Sequence, residues 1–284
     1  MTDAGELRGA VAAQLTALSG PGHPLHANSD RATAILYAGD PARASFHRGV
    51  IADYLSKASP LQDGRSAIIT AGPPGVGKST ALHAHIGDLG TYRVLDADLV
   101  KEYLLQRALA DGIYDDLLDY ELADGFRVAP GELAALVHDE SVRLIERIRE
   151  ICVLQRENIV VEATLQWDQH GPTIFSELAI ADYTHVRILG VEADRDLAHS
   201  QALDRWWTRR IEWIAGMHPL GGRFVPPAVI DKCYPAVGPS YCAQHAVDLL
   251  DRAKAGEIAD VHLTLYRRTA GRPLQVITDE RVQT

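Results

Sequence analysis

Apolar positions along the chain follow two rhythms that alternate. Short β-branched or continuous apolar runs occur at residues 66–71, 92–95, 158–164 and 184–191, and each reads as a strand. Between them, apolar residues recur at helical spacing. Residues 6–18 carry Leu7, Val11, Leu15 and Leu18, and Ser19-Gly20-Pro21-Gly22 stops that pattern. Residues 42–57 resume it with Phe46, Val50, Ile51, Tyr54 and Leu55, and Gln62-Asp63-Gly64-Arg65 turns into the first strand. Further helices are expected at 79–89, 99–110, 115–123, 171–181, 194–215, 226–235 and 241–256. One long amphipathic helix is expected over 130–155, with Leu133, Leu136, Val137, Leu144, Ile148 and Ile151 as its buried stripe. Residues 261–266 and 274–278 alternate around Thr269-Ala270-Gly271-Arg272-Pro273, the pattern of a C-terminal β-hairpin.

Strands that alternate with helices predict an α/β protein: a three-layer α/β/α core with a mostly parallel sheet. Residues 1–60 read as a helical segment packed on that core, and 61–284 as the main α/β domain with a helical lid over about 194–226. The N-terminal segment has a second reading, an inhibitory arm over the nucleotide site, and the sequence does not choose between them.

The chemistry centres on Gly72-Pro73-Pro74-Gly75-Val76-Gly77-Lys78-Ser79-Thr80, a G-x-x-x-x-G-K-S loop between a strand and a helix. Glycines let the backbone N–H groups turn inward around phosphates, and the helix starting near Lys78 adds its positive dipole end. Lys78 is expected at the β- and γ-phosphates of ATP and the Ser79 hydroxyl on Mg²⁺. A glycine-rich turn alone would not need the flanking strand and helix.

Two further strand ends carry acids. Asp96-Ala97-Asp98 closes the 92–95 strand, and a spacing of two in extended chain puts both carboxylates on one side. Such strand ends are where open α/β sheets hold ligands. The strand through Ile159, Val160 and Val161 is apolar throughout, as in a central parallel strand. It ends in Glu162, which reads either as a Walker-B-like acid near the metal or as a cap for the next helix. The 194–215 helix holds Arg195, Arg205, Arg209 and Arg210 with Trp206, Trp207 and Trp213. Arg205 and Arg209 share a face. With Gly221-Gly222-Arg223 just beyond, the stretch reads as a phosphate-clamping lid. The competing reading is a solvated surface in which Asp204 and Glu212 neutralise the arginines.

Composition narrows the partners. The 284 residues are 46% hydrophobic and 23% charged, ordinary for a globular protein, and the net charge of −10 opposes a nucleic-acid-binding surface. No apolar run has the length to span a bilayer, so a soluble, cytoplasmic protein without a membrane partner is expected. Cys152, Cys233 and Cys242 form no C-x-x-C pair and read as thiols; Cys233, Cys242 and His245 fit no common zinc spacing.

Taken together, these motifs resemble the zeta-toxin family of P-loop kinases, from about residue 42 to the hairpin. Besides the P-loop, Asp96-Ala97-Asp98 is similar to the family's D-x-D, and Val160-Val161-Glu162-Ala163-Thr164 resembles its h-h-E-G-T strand end. Gly221-Gly222-Arg223-Phe224-Val225-Pro226 is similar to its G-G-R-x-V-P motif. The resemblance implies transfer of the ATP γ-phosphate to the 3′-hydroxyl of the sugar in UDP-N-acetylglucosamine, and an antitoxin protein as partner. It makes Lys78 the phosphate lysine, Asp98 the base on the sugar hydroxyl, and Arg205 and Arg223 the arginines on the triphosphate. Asp96, Glu146, Glu162 and Thr164 fall on the substrate side. Ala163 stands in place of the family's glycine and Gln166 in place of an arginine, and the H-P after the D-x-D segment is absent. These departures bear on which hydroxyl is the acceptor. Two other readings stay open: a kinase of the same fold with another acceptor, and a nucleotide-binding switch that phosphorylates nothing.

Overall fold

Six strands, β1 (Ser66–Ala71), β2 (Arg93–Leu95), β3 (Ile159–Val161), β4 (His185–Ala193), β5 (Asp260–Arg268) and β6 (Gln275–Gln283), form one sheet in the order β2-β3-β1-β4-β5-β6. The computed structural model describes residues 4–62 and 65–284; Asp63 and Gly64 of the expected turn lie outside the described residues. Helices are α1 (Ala4–Leu18), α2 (Thr33–Leu36), α3 (Pro41–Ser56), α4 (Lys78–His85), α5 (Ala97–Ala110), α6 (Asp115–Leu118), α7 (His138–Leu154), α8 (His170–Ile180), α9 (Arg195–Ile214), α10 (Pro227–Asp231) and α11 (Tyr241–Lys254).

The chain divides into two units. The first comprises Met1–Asp53, Ala97–Glu146 and Ala202–Pro227; the second comprises Tyr54–Asp96, Arg147–Gln201 and Ala228–Thr284.

The whole sheet belongs to the second unit. β1 lies between β3 and β4 and is parallel to both, with Ile69 opposite Val161 on one side and Ile188 on the other. β2 and β5 extend the sheet in parallel, and β6 turns back antiparallel to β5 as the expected hairpin. In β1 and β3 successive residues are buried rather than alternate ones, so both faces of the central strands are covered, the condition of a layered α/β core. The sheet is mostly parallel and the fold is the α/β class expected. Helices α4 and α11 pack on it. Both hairpin strands run longer than expected, nine residues each. β6, the outer strand, is mostly exposed and carries Asp279, Glu280 and Arg281, the kind of charge that discourages edge pairing.

The first unit is helical. Val11 and Leu15 of α1 are fully buried, as their spacing predicts. The expected 130–155 helix is instead two elements: a 3-10 segment over Pro130–Val137, then α7. Residues 131–137 are buried at every position but Ala135, so this segment has no exposed face to sustain an α-helical period. The expected 115–123 helix stops at Leu118, beyond which Glu121 bridges to Arg127. The P-loop helix also ends early, at His85.

Candidate functional site

The phosphate-binding loop lies wholly in the second unit and begins where β1 ends. Gly72 has φ +140, and a Cβ there would stand 2.4 Å from the Val191 carbonyl oxygen, so only glycine fits. Gly77, at φ +85, precedes α4, and Lys78 is the first residue of that helix. The free N–H groups of a helix's first turn therefore open at the loop. Lys78 donates to the carbonyls of Gly72 at 2.8 Å and Pro73 at 3.1 Å. Pro73 and Val76 are buried, Pro74 and Gly75 half-buried, and Thr80 is exposed.

The end of β3 is tied to this loop. Thr70 Oγ1 donates to the Ala163 carbonyl and accepts from the Ala163 N–H, both at 3.0 Å, and the Gly72 N–H donates to the Thr164 carbonyl at 3.0 Å. These bonds carry the β1–β3 pairing past the regular strands. They deliver Glu162 to Ser79, whose hydroxyl donates to the Glu162 carboxylate at 3.4 Å. Glu162 does not cap the next helix: α8 begins at His170, with Gln169 at its N-cap. A hydroxyl and a carboxylate are hard oxygen donors that suit Mg²⁺, which takes few protein ligands and relies on substrate phosphates for others. The described residues contain no cluster of three or more His, Cys, Asp or Glu able to hold a metal by itself. Cys152, Cys233 and Cys242 are free thiols, as read from the sequence, and all three are buried.

Sequence reasoning missed Arg268, the last residue of β5. Its Nε donates to the Val76 carbonyl at 2.7 Å, and its guanidinium lies against Gly77, where an added Cβ would stand 2.9 Å from Nη2. The loop thus has a second cation at its backbone, brought by a strand that no P-loop motif includes.

The other expected residues belong to the first unit, except Asp96. Asp96 follows β2 in the second unit, and its N–H donates to the Tyr54 hydroxyl at 2.9 Å. Asp98 lies in the first turn of α5, so the expected strand alternation between Asp96 and Asp98 does not hold. A carboxylate in the first helical turn is favoured by the helix dipole. Asp98 accepts from Lys101 Nζ at 3.0 Å and pairs with Arg223 Nη2 at 3.0 Å. Arg223 also reaches Glu102, at 3.3 Å. Burial acts to raise the Asp98 pKa, but Lys101, Arg223 and Arg205 outweigh it and bring the carboxyl down to about 2. Arg205 itself is exposed on α9. Further along the same helix, neighbouring arginines differ: Arg209 is exposed and pairs with Glu212 at 2.6 Å, while Arg210 is fully buried between Asp124 and Glu132. Gly221 and Gly222 serve close approach, since a Cβ on Gly222 would lie 2.4 Å from the Trp206 carbonyl oxygen. Glu146 is half-buried on α7.

The family described as Zeta toxin matches residues 52–259 of the chain. Among proteins of curated function, none matches. Solved structures share the fold at low identity. One, from a study of the PezAT chromosomal toxin–antitoxin system of the human pathogen Streptococcus pneumoniae, aligns with a TM-score of 0.51 at 13% identity, over 83% of this chain and 80% of that one. Another, AvrRxo1-ORF1:-ORF2 with ATP, aligns with a TM-score of 0.59 at 15% identity, over 84% of this chain and 67% of that one. No described helix is long and apolar enough to cross a membrane.

Proposed function

Because the chain belongs to the zeta toxin family, whose members are kinases, we propose that it transfers the γ-phosphate of ATP to a sugar hydroxyl of a UDP-sugar, the 3′-hydroxyl of UDP-N-acetylglucosamine. The observation that carries this reading is the P-loop with Lys78 and Ser79 opening α4 and Glu162 3.4 Å from the Ser79 hydroxyl. It joins a phosphate cradle to a pair of metal-suited oxygens.

Phosphoryl transfer needs mainly positioning and neutralisation of charge. Lys78 turns from the Gly72 and Pro73 carbonyls to the β- and γ-phosphates, where a cation is worth most as charge builds on the leaving group. Ser79 and Glu162 are the residues that would hold Mg²⁺, directly or through water, and Mg²⁺ supplies further neutralisation of the phosphate oxygens. Asp98 orients the acceptor hydroxyl. With its pKa at about 2 it is a weak base, and it takes the proton late, once the hydroxyl has become acidic in transfer. Arg205 and Arg223 grip the triphosphate, Arg223 exchanging the carboxylates of Asp98 and Glu102 for phosphate oxygens. Asp96, Glu146, Glu162 and Thr164 face the substrate side. The 194–226 stretch acts as the clamp over the phosphates.

The Streptococcus pneumoniae match comes from a toxin–antitoxin system, and we extend that to this chain: it acts as a toxin held in check by an antitoxin protein. The net charge of −10 and the lack of a membrane-length helix among the described residues favour a soluble, cytoplasmic role on a small molecule rather than on nucleic acid. The test is a panel of UDP-sugars incubated with ATP and Mg²⁺ and read by mass spectrometry. UDP-N-acetylglucosamine should gain one phosphoryl group. Gain on a different hydroxyl compound would move the acceptor, and ATP hydrolysis that no acceptor stimulates would favour a nucleotide switch.

A further inference from the structure

Both neighbours of Arg223 pack on one tryptophan, Trp206. On the N-terminal side of Arg223, Gly222 presses so closely on the Trp206 backbone that a Cβ would meet the Trp206 carbonyl oxygen at 2.4 Å. On the C-terminal side, the Phe224 ring meets the Trp206 indole edge to face, with centroids 5.1 Å apart. The start of the 220–224 segment is pinned as well, by the Gly131 N–H donating to the Leu220 carbonyl at 2.6 Å. Trp206 is itself fixed. Its indole N–H donates to Glu132 Oε1 at 2.9 Å, and both groups are buried.

Glu132 is the hub. Its carboxylate also accepts from the Ala129 N–H at 2.8 Å and from Arg210 Nη1 at 2.9 and 3.0 Å. The far edge of Arg210 is held by Asp124 at 2.7 and 2.8 Å. A core residue this polar has no role in burying apolar area, and hydrophobic replacements of such networks are commonly tolerated for stability. What the network does here is fix one tryptophan, whose indole packs against Phe224 and whose backbone packs against Gly222, the two neighbours of Arg223.

We propose that Glu132 is a positioning residue for Arg223: through Trp206 it sets the backbone from which Arg223 reaches Asp98 and Glu102. This goes beyond the kinase reading in assigning Glu132 a role. It rests on that reading only for the importance of Arg223; the placement of Arg223 can be tested without any substrate.

The reporter is Asp98. It faces Lys101 and Glu102 of its own helix, Arg223, Arg205 of α9 and His138 at the start of α7. A guanidinium that leaves a carboxylate allows its pKa to rise by about one pH unit or more. The experiment titrates the Asp98 carboxyl carbon by NMR in the full chain, assigned with Asp98→Asn, for wild type, Glu132→Gln, Arg223→Ala and the double variant. Glutamine still accepts from the Trp206 indole but brings an amide against Arg210, so the hub loses its charge and its fit. Glu132→Gln and Arg223→Ala are both expected to raise the Asp98 pKa, and Glu132→Gln to add nothing once Arg223 is gone. Trp206→Phe, which keeps an aromatic ring and removes the bond to Glu132, should reproduce the shift and serves if Glu132→Gln does not fold. An unchanged Asp98 titration in a folded Glu132→Gln or Trp206→Phe variant overturns the proposal. So does an equal shift in the Arg223→Ala background, which would mark a general loosening of the unit. Failure of UDP-sugar phosphorylation with this titration pattern intact would count against the kinase reading alone.

Discussion

Arg223 Nη2 stands 3.0 Å from Asp98 Oδ2, so the arginine expected on the triphosphate is paired with the carboxylate expected on the acceptor. The pair, with Lys101, holds Asp98 ionised far below the usual carboxylate range. The sign of its effect on stability follows. The folded pKa of about 2 lies below the unfolded value of about 3.9, so the stabilising contribution of the ionised carboxylate is complete above about pH 4 and is lost as pH falls toward 2. The stability difference between wild type and Asp98→Asn, measured by urea unfolding, should therefore change over about pH 4 to 2 and stay constant from about pH 5 to 7. A change centred near pH 6 would mean that another group, not Asp98, feels the pair.

Arg210 is fully buried, with carboxylates on both edges of its guanidinium. Removing a buried partner strands the remaining charges, a loss of roughly 3–5 kcal/mol. Arg210→Met, which keeps most of the volume, should lower the unfolding free energy on that scale, while Arg209→Met, at an exposed pair, should cost under about 1 kcal/mol. Equal losses at the two positions would contradict the burial that separates them.

Gly72 and Gly77 should respond unequally to alanine. At Gly72 the new methyl meets a backbone carbonyl, which cannot move without shifting β4; at Gly77 it meets the flexible end of Arg268. Both carry the strain of positive φ, of order 1–3 kcal/mol. Gly72→Ala should therefore be the more destabilising in urea melts. Gly77→Ala should fold and lose affinity for a fluorescent ATP analogue, because it displaces Arg268 from the Val76 carbonyl. A Gly77→Ala protein that binds the analogue normally would remove Arg268 from the account of the loop.

How far a chain of this kind is legible from its sequence depends on the range of the forces involved. The P-loop is legible because its glycines, lysine and serine act through local backbone geometry, and the strands because Ile159-Val160-Val161 is apolar at every position. The hairpin is legible from alternation. Asp98 stands out in the sequence, next to a helix expected from Leu99, but nothing in Asp96-Ala97-Asp98 itself shows that α5 begins already at Ala97 and takes Asp98 out of extended chain. The segment over Pro130–Val137 reads as α-helix because Leu133, Leu136 and Val137 fall on the same stripe as Leu144 and Ile148 of α7, whereas the burial of nearly every position in it comes from partners distant in the chain. The arginines of α9 illustrate the same limit. Arg205, Arg209 and Arg210 look alike in sequence, and only Asp124 and Glu132, far away along the chain, bury one and leave the others outside. Arg268 is invisible for that reason too: its partner, Val76, is brought close by sheet topology.

Arg205 and Arg223 are expected to act on the transferring phosphoryl group. Each alanine variant should slow transfer by about a hundredfold or more, the scale for loss of one transition-state donor. Steady-state rates at saturating ATP provide the check. Normal turnover in both variants would make the 194–226 stretch a surface and not a clamp.

The most direct measurement compares wild type with Asp98→Asn on one preparation each, timing ATP-dependent phosphorylation of UDP-N-acetylglucosamine and titrating a fluorescent ATP analogue with Mg²⁺. Asparagine keeps the size and a hydrogen-bond acceptor but cannot take the proton. Nucleotide binding should be nearly unchanged, as it should not be in Lys78→Ala, while transfer falls by roughly a hundredfold to ten-thousandfold. Transfer at the wild-type rate in Asp98→Asn would contradict the central claim that this carboxylate, held ionised beside Arg223, acts on the acceptor hydroxyl.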